Sequence, residues 1–160
     1  MSKEEEKLYP EIKEWLHNYL TDKYSGYNVQ TTYETSRRSL DLVLKSKGIN
    51  CKEATGLKIK VDIVGILKRG DKFQLAFIEV KDTHLTLKDL GQLWGYTQLI
   101  DPLESFLISS KGLGALSHLF KVLKREDLLK FGTQVNKFMQ IAKWDMQRKS
   151  IDYTSLIPKI

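Results

Sequence analysis

The sequence predicts an α/β domain in which helices flank a mixed β-sheet. Two observations lead there. Segments with helical and strand periodicity follow the order helix, strand, hairpin, helix, strand, helix, strand. The central strands are apolar on both faces, as strands covered by helices on either side must be. The 160 residues suit one domain spanning 1–160, and 41% hydrophobic with 29% charged residues is a globular balance that argues against disorder.

Each element has a local reason. Leu8–Leu20 carries Leu8, Ile12, Trp15, Leu16, Tyr19 and Leu20 at helical spacing, giving one buried stripe. Pro10 places the start of this helix near itself, because proline fits a first turn and disrupts an interior one. Tyr27–Glu34 alternates as a strand, Ser36–Gly48 fits neither period cleanly, and Lys52–Gly56 reads as loop. Lys60–Leu67 and Lys72–Lys81 are β-rich runs around Lys68-Arg69-Gly70-Asp71, which predicts a hairpin. Thr86 begins a helix to about Ile100, where Thr86-Leu87-Lys88-Asp89 approximates a capping box with aspartate in the usual glutamate place. Ser105–Ser109 is a short apolar strand, Leu116–Phe131 a helix closed by Gly132, and Lys137–Trp144 a last strand. There is no repeat, low-complexity tract or Pro/Gly linker.

Composition narrows the function classes. The net charge of +6 and the pI of about 9.3 bias the chain mildly toward polyanions. A single cysteine, Cys51, excludes an internal disulfide and a Cys-rich zinc or iron–sulfur centre built from this chain alone. His17, His84 and His118 show no paired ligand spacing. No apolar run approaches the roughly 20 residues of a membrane span. The acidic start Met1-Ser2-Lys3-Glu4-Glu5-Glu6 is unlike a signal peptide, so the expected location is the cytoplasm, with no membrane partner.

The chemistry concentrates in the hairpin. Asp62 sits among Val61, Ile63 and Val64, and Glu79 between Ile78 and Val80. A carboxylate in an otherwise apolar strand costs several kcal/mol unless it is paired or bound to a cation. With the turn centred on Arg69-Gly70, Leu67 faces Lys72, Asp62 faces Phe77, and Glu79 lies diagonally two residues on. Such diagonal neighbours are about 7–8 Å apart, and their side chains can converge. Lys81 shares the face of Glu79 by the strand period of two. Paired carboxylates suit a hard divalent cation, which polarises a phosphodiester and lowers the pKa of bound water. A neighbouring lysine orients or deprotonates that water, or stabilises developing charge.

Asp62, a hairpin, and then Glu79-Val80-Lys81 closely resemble the PD-(D/E)XK nuclease superfamily, the restriction-endonuclease-like and Holliday-junction-resolvase-like proteins. Its signature is an aspartate followed by (D/E)-x-K on the next strand. The resemblance implies an αβββαβ core and DNA phosphodiester hydrolysis that depends on Mg²⁺, with Mn²⁺ as a substitute. Asp62 and Glu79 would be metal ligands, the Val80 carbonyl a further one, and Lys81 the water-activating lysine. The proline of the superfamily name is replaced by Val61. Gln92 and Tyr96 match the Q-x-x-x-Y of some branches, and their i, i+4 spacing puts them on one helical face, with Lys88 a turn earlier. They would border the active site. The superfamily often adds a glutamate from the first helix, for which helical phase favours Glu5 and then Glu11.

The tripeptide alone carries no weight, because Glu5-Glu6-Lys7 and Glu11-Ile12-Lys13 repeat it in helical sequence. Strand context and Asp62 give it meaning. A plain ion pair between Lys81 and Glu79 would leave the second acid unexplained. His84 reads as a loop histidine. Arg37/Arg38, Lys121/Lys124/Arg125 and Arg148/Lys149 are solvated faces that can grip phosphates. Trp15, Trp94 and Trp144 read as core or interface. Gly112-Leu113-Gly114 is too short for a phosphate loop, and the lone cysteine argues against an iron–sulfur branch. A chain this short has little room for a recognition domain, so a homodimer or a partner protein would supply specificity. The alternative reading is a non-cleaving nucleic-acid-binding module on the same fold.

Overall fold

A computed structural model describes residues 2–159. One mixed sheet of six strands runs in the order β1-β2-β3-β4-β7-β8. Strands β1 (Asn28–Thr32), β2 (Ile63–Arg69) and β3 (Lys72–Lys81) are antiparallel neighbours. Strand β4 (Glu104–Ser109) runs parallel to β3 and to β7 (Gln140–Asp145), and β8 (Ser150–Ile157) closes the sheet antiparallel to β7. The first helix, α1 (Lys3–Lys23), covers one face. The other face is covered by α2 (Leu40–Ser46), α3 (Leu87–Ile100) and α4 (Ala115–Lys121). Strands β5 (Lys130–Phe131) and β6 (Lys137–Phe138) form a separate two-stranded ribbon. The expected α/β class with a mixed, helix-flanked sheet is therefore the one observed.

The strand period divides the core. Ile63, Leu67, Ala76, Ile78, Val80, Phe106 and Ile108 meet Leu8, Ile12, Leu16 and Leu20 of α1. Val64, Ile66, Leu75, Phe77 and Leu107 meet Leu40, Leu44, Leu90, Leu93, Leu116 and Phe120 from the other helices. Gly65 lets α1 approach, since a Cβ there would stand 2.6 Å from Leu20 Cδ1.

Four expectations need correction. Helix α1 begins at Lys3 rather than near Pro10, which sits inside it. The Ser2 hydroxyl accepts the Glu5 amide, and Glu4, Glu5 and Glu6 lie at the positive end of the helix dipole, so the first turns form despite the proline. The hairpin turns on Gly70-Asp71, one residue later than expected, with Gly70 at φ +62° where a type II′ turn places glycine. The segment 116–131 is not one helix. It stops at Lys121 and resumes as a 3₁₀ turn (Glu126–Leu129) and β5, with Lys124 at φ +56° between them. The chain also continues past the strand ending near Trp144 into β8, which pairs along the sheet edge. The segment 36–48, which fits neither period, contains α2.

Candidate active site

The observed hairpin register pairs Arg69 with Lys72 and Ile63 with Ile78. Asp62 lies in the bend just before β2 rather than within the strand expected over Lys60–Leu67, and the register carried one step past the ladder sets it opposite Glu79 rather than Phe77. The displacement is two residues, so both acids keep the face expected of them. The ladder ends at Ile63/Ile78, and beyond it the carboxylates replace backbone pairing. Asp62 Oδ2 accepts the Val80 amide at 2.8 Å, and Glu79 Oε1 accepts the Asp62 amide at 3.4 Å.

Helix α1 reaches around this end of the sheet. The Ser2 hydroxyl donates to Asp82 on the segment after β3, docking the helix N-terminus there. Glu5 is buried as a result, and so is Tyr9 one turn later. The Tyr9 hydroxyl donates to Asp62 Oδ1 at 3.0 Å and lies 3.4 Å from Glu5 Oε2. Lys81 completes the cluster, with Nζ 3.7 Å from Glu79 Oε2.

Asp62 and Glu79 are only 8% and 6% exposed, which makes their charge expensive. Burial, reinforced by the neighbouring Asp62, pushes the Glu79 carboxyl up to about 8. Burial also raises Asp62, although the Val80 amide, the Tyr9 hydroxyl and Lys81 pull the other way. Glu5 is raised by burial and by Asp62. Burial alone would lower Lys81, but Glu79, Glu5 and Asp62 outweigh it and raise the ammonium pKa. Three buried acids therefore share one lysine, and the site is short of positive charge.

The oxygen donors fit a hard divalent cation and contain no histidine or thiolate that would suit zinc. Among the described residues, no group of three or more His, Cys, Asp or Glu side chains is placed so that it could hold a metal ion together. Asp62 and Glu79 bring two carboxyl groups together. Magnesium is commonly bound in that way, with waters and substrate phosphate filling its octahedron.

The structure brings Glu5, Asp62, Glu79, Val80 and Lys81 together, but not every expected residue. Gln92 is exposed on α3, and Tyr96 is half-buried against the core beneath that helix. Among the described residues neither hydrogen-bonds to Asp62, Glu79 or Lys81. The nearer part of α3 is its first turn, where Thr86 and Asp89 form the capping box and Asp89 contributes to raising Lys81. Glu11 lines a groove of about 930 Å³ with Trp15, Tyr19 and Tyr153, apart from the acids. This groove does not contain the acid cluster. His84 and Lys88 are exposed; Trp144 is buried, Trp15 half-buried and Trp94 45% exposed.

Tyr9 was not anticipated. Its spacing of four from Glu5 was the available signal, since that places both on one helical stripe. Among the described residues, no helix is long and apolar enough to cross a membrane. Comparison with models of known protein families, with characterised proteins and with solved structures gave no match.

Proposed function

We propose that this chain is a metal-dependent nuclease that hydrolyses DNA phosphodiester bonds, with Mg²⁺ or Mn²⁺, on a restriction-endonuclease-like αβββαβ core. The observation that carries the reading is the meeting of buried Asp62 and Glu79 with Lys81 where β2 and β3 part, with more carboxyl groups than ammonium groups. The chain order α1, β1, β2, β3, α3, β4 supports the core, with α2 interposed between β1 and β2.

Asp62 and Glu79 would hold the cation, with the Val80 carbonyl and Glu5 as further oxygen donors; bound there, it would polarise a phosphodiester and acidify a water. Lys81 stays protonated at neutral pH, because the surrounding acids raise it. Its role is therefore to donate hydrogen bonds to a phosphate oxygen or to the attacking water, and to balance charge. Gln92 and Tyr96 border the substrate further along α3. Cations stand around the site. Arg37 pairs with Glu6 beside Glu5, and Lys111 follows Ser110, whose amide bonds the Lys81 carbonyl. A second copy or a partner protein supplies specificity in this reading, and the setting is cytoplasmic.

The test is incubation of the purified protein with duplex, single-stranded and branched DNA and with RNA, in Mg²⁺, Mn²⁺ or EDTA. DNA is cut with metal only, and Glu79→Ala and Lys81→Ala each lose about 100-fold or more in rate. Variants that cut as the parent does would overturn the assigned roles.

One observation favours a second reading, a non-cleaving nucleic-acid-binding module. Both oxygens of Asp62 already accept hydrogen bonds within the protein, so the acids can serve as a structural clasp. That module would bind DNA with a steep salt dependence and cut nothing.

A further inference from the structure

The acid cluster contains one polar group without an assigned task, the Tyr9 hydroxyl. The residue is 2% exposed, and a buried phenol must place its proton on a partner. Two acceptors compete for it, Asp62 at 3.0 Å and Glu5 at 3.4 Å. The shorter contact takes the proton. Asp62 is then gripped on Oδ1 by Tyr9 and on Oδ2 by the Val80 amide at 2.8 Å. Donors on both oxygens fix the position and the plane of a carboxylate, and each oxygen keeps a lone pair for a ligand. Glu79 is held less firmly, with its contacts at 3.4 and 3.7 Å. Glu5 has only the longer side of the shared phenol.

We propose that Tyr9 is a positioning residue that clamps Asp62 as the preset ligand of a divalent cation, while Glu79 and Glu5 adjust around the ion. The inference rests on the metal-site reading above. Groups that orient a ligand from behind carry a large share of metal affinity, and their loss typically weakens binding by about 10–100-fold. A purely structural tyrosine would contribute through its ring, which packs 5.9 Å from Tyr33, centroid to centroid, and remains in Tyr9→Phe.

The experiment measures Mn²⁺ affinity by electron paramagnetic resonance of the free ion, together with the melting temperature in EDTA. Tyr9→Phe should bind Mn²⁺ at least about 10-fold more weakly than the parent while melting within a few degrees of it. Tyr9→p-aminophenylalanine, which restores a donor at the same place, should recover most of that affinity. If the parent binds Mn²⁺ and Tyr9→Phe binds equally well, the role assigned to Tyr9 is wrong and the metal site stands. If the parent shows no binding that Glu79→Ala abolishes, the metal site itself fails. Should Tyr9→Phe not fold, the aniline variant decides: folded with weak Mn²⁺ binding, it overturns the clamp, and folded with near-parental binding, it supports it.

Discussion

Replacing Glu79 with glutamine should remove a pH dependence built into the metal-free protein. Burial and Asp62 push the Glu79 carboxyl from an ordinary 4.5 up to about 8. Between those values the folded chain keeps a proton that the unfolded chain has released, so stability falls as pH rises from about 4.5 to about 8. At about 1.4 kcal/mol per pH unit, the whole interval amounts to roughly 4–5 kcal/mol. Glu79→Gln retains an oxygen for the Asp62 amide and has nothing to titrate. Lys81, raised in the fold, contributes stability that is lost only above its ordinary 10.5, outside this window. Urea unfolding of parent and variant in EDTA, at intervals from pH 5 to pH 9, measures the difference. The variant should gain on the parent by about 3–5 kcal/mol across that range. At pH 8, Mn²⁺ at 100 times its dissociation constant should return about 2.7 kcal/mol to the parent and much less to the variant. A parent-minus-variant difference that stays flat with pH would refute the argument that these buried acids lack counter-charge.

Three further outcomes follow from the same geometry. Gly65→Ala should destabilise by about 1–3 kcal/mol in urea unfolding, because the added carbon would meet the fully buried Leu20 at 2.6 Å. Glu104→Ala should cost about 1–3 kcal/mol by the same assay, since Glu104 accepts from Lys23 at 2.7 Å and from the half-buried Tyr24 hydroxyl, and its loss removes both bonds at the end of α1. Lys111→Ala should weaken DNA binding about equally for all sequences and reduce the salt slope by about 1, measured by fluorescence anisotropy against salt.

The hairpin was the most legible part of the chain, because Asp62 and Glu79 interrupt apolar runs that otherwise predict buried strands. Misplacing the turn changed which residues face one another but not which share a face, since the displacement was even. Direct opposition of the two acids could not be read, because Arg69 belongs to the strand rather than to the turn. The start of α1 was hidden by Pro10, whose disfavour inside a helix outweighed the capping serine and the acidic first turn in a local reading. The stretch after α4 misled for a different reason. Leu128, Leu129 and Phe131 continue a helical stripe, yet Leu129 and Phe131 reach the core from a 3₁₀ turn and a short strand. Strand β8 escaped notice because it lies at the sheet edge, with Asp152, Tyr153 and Thr154 half-buried or exposed, which blurs its period of two. Glu5 was legible by phase alone, whereas the hydroxyl linking it to Asp62 depends on α1 folding around the end of the sheet.

The most direct measurement is anomalous diffraction at the manganese edge from crystals soaked in Mn²⁺. The account predicts one strong peak with carboxylate oxygens of Asp62 and Glu79 both roughly 2.1 Å away. A soaked crystal with no peak there, and with the two carboxylates still bound to the Val80 and Asp62 amides as they are now, would contradict it.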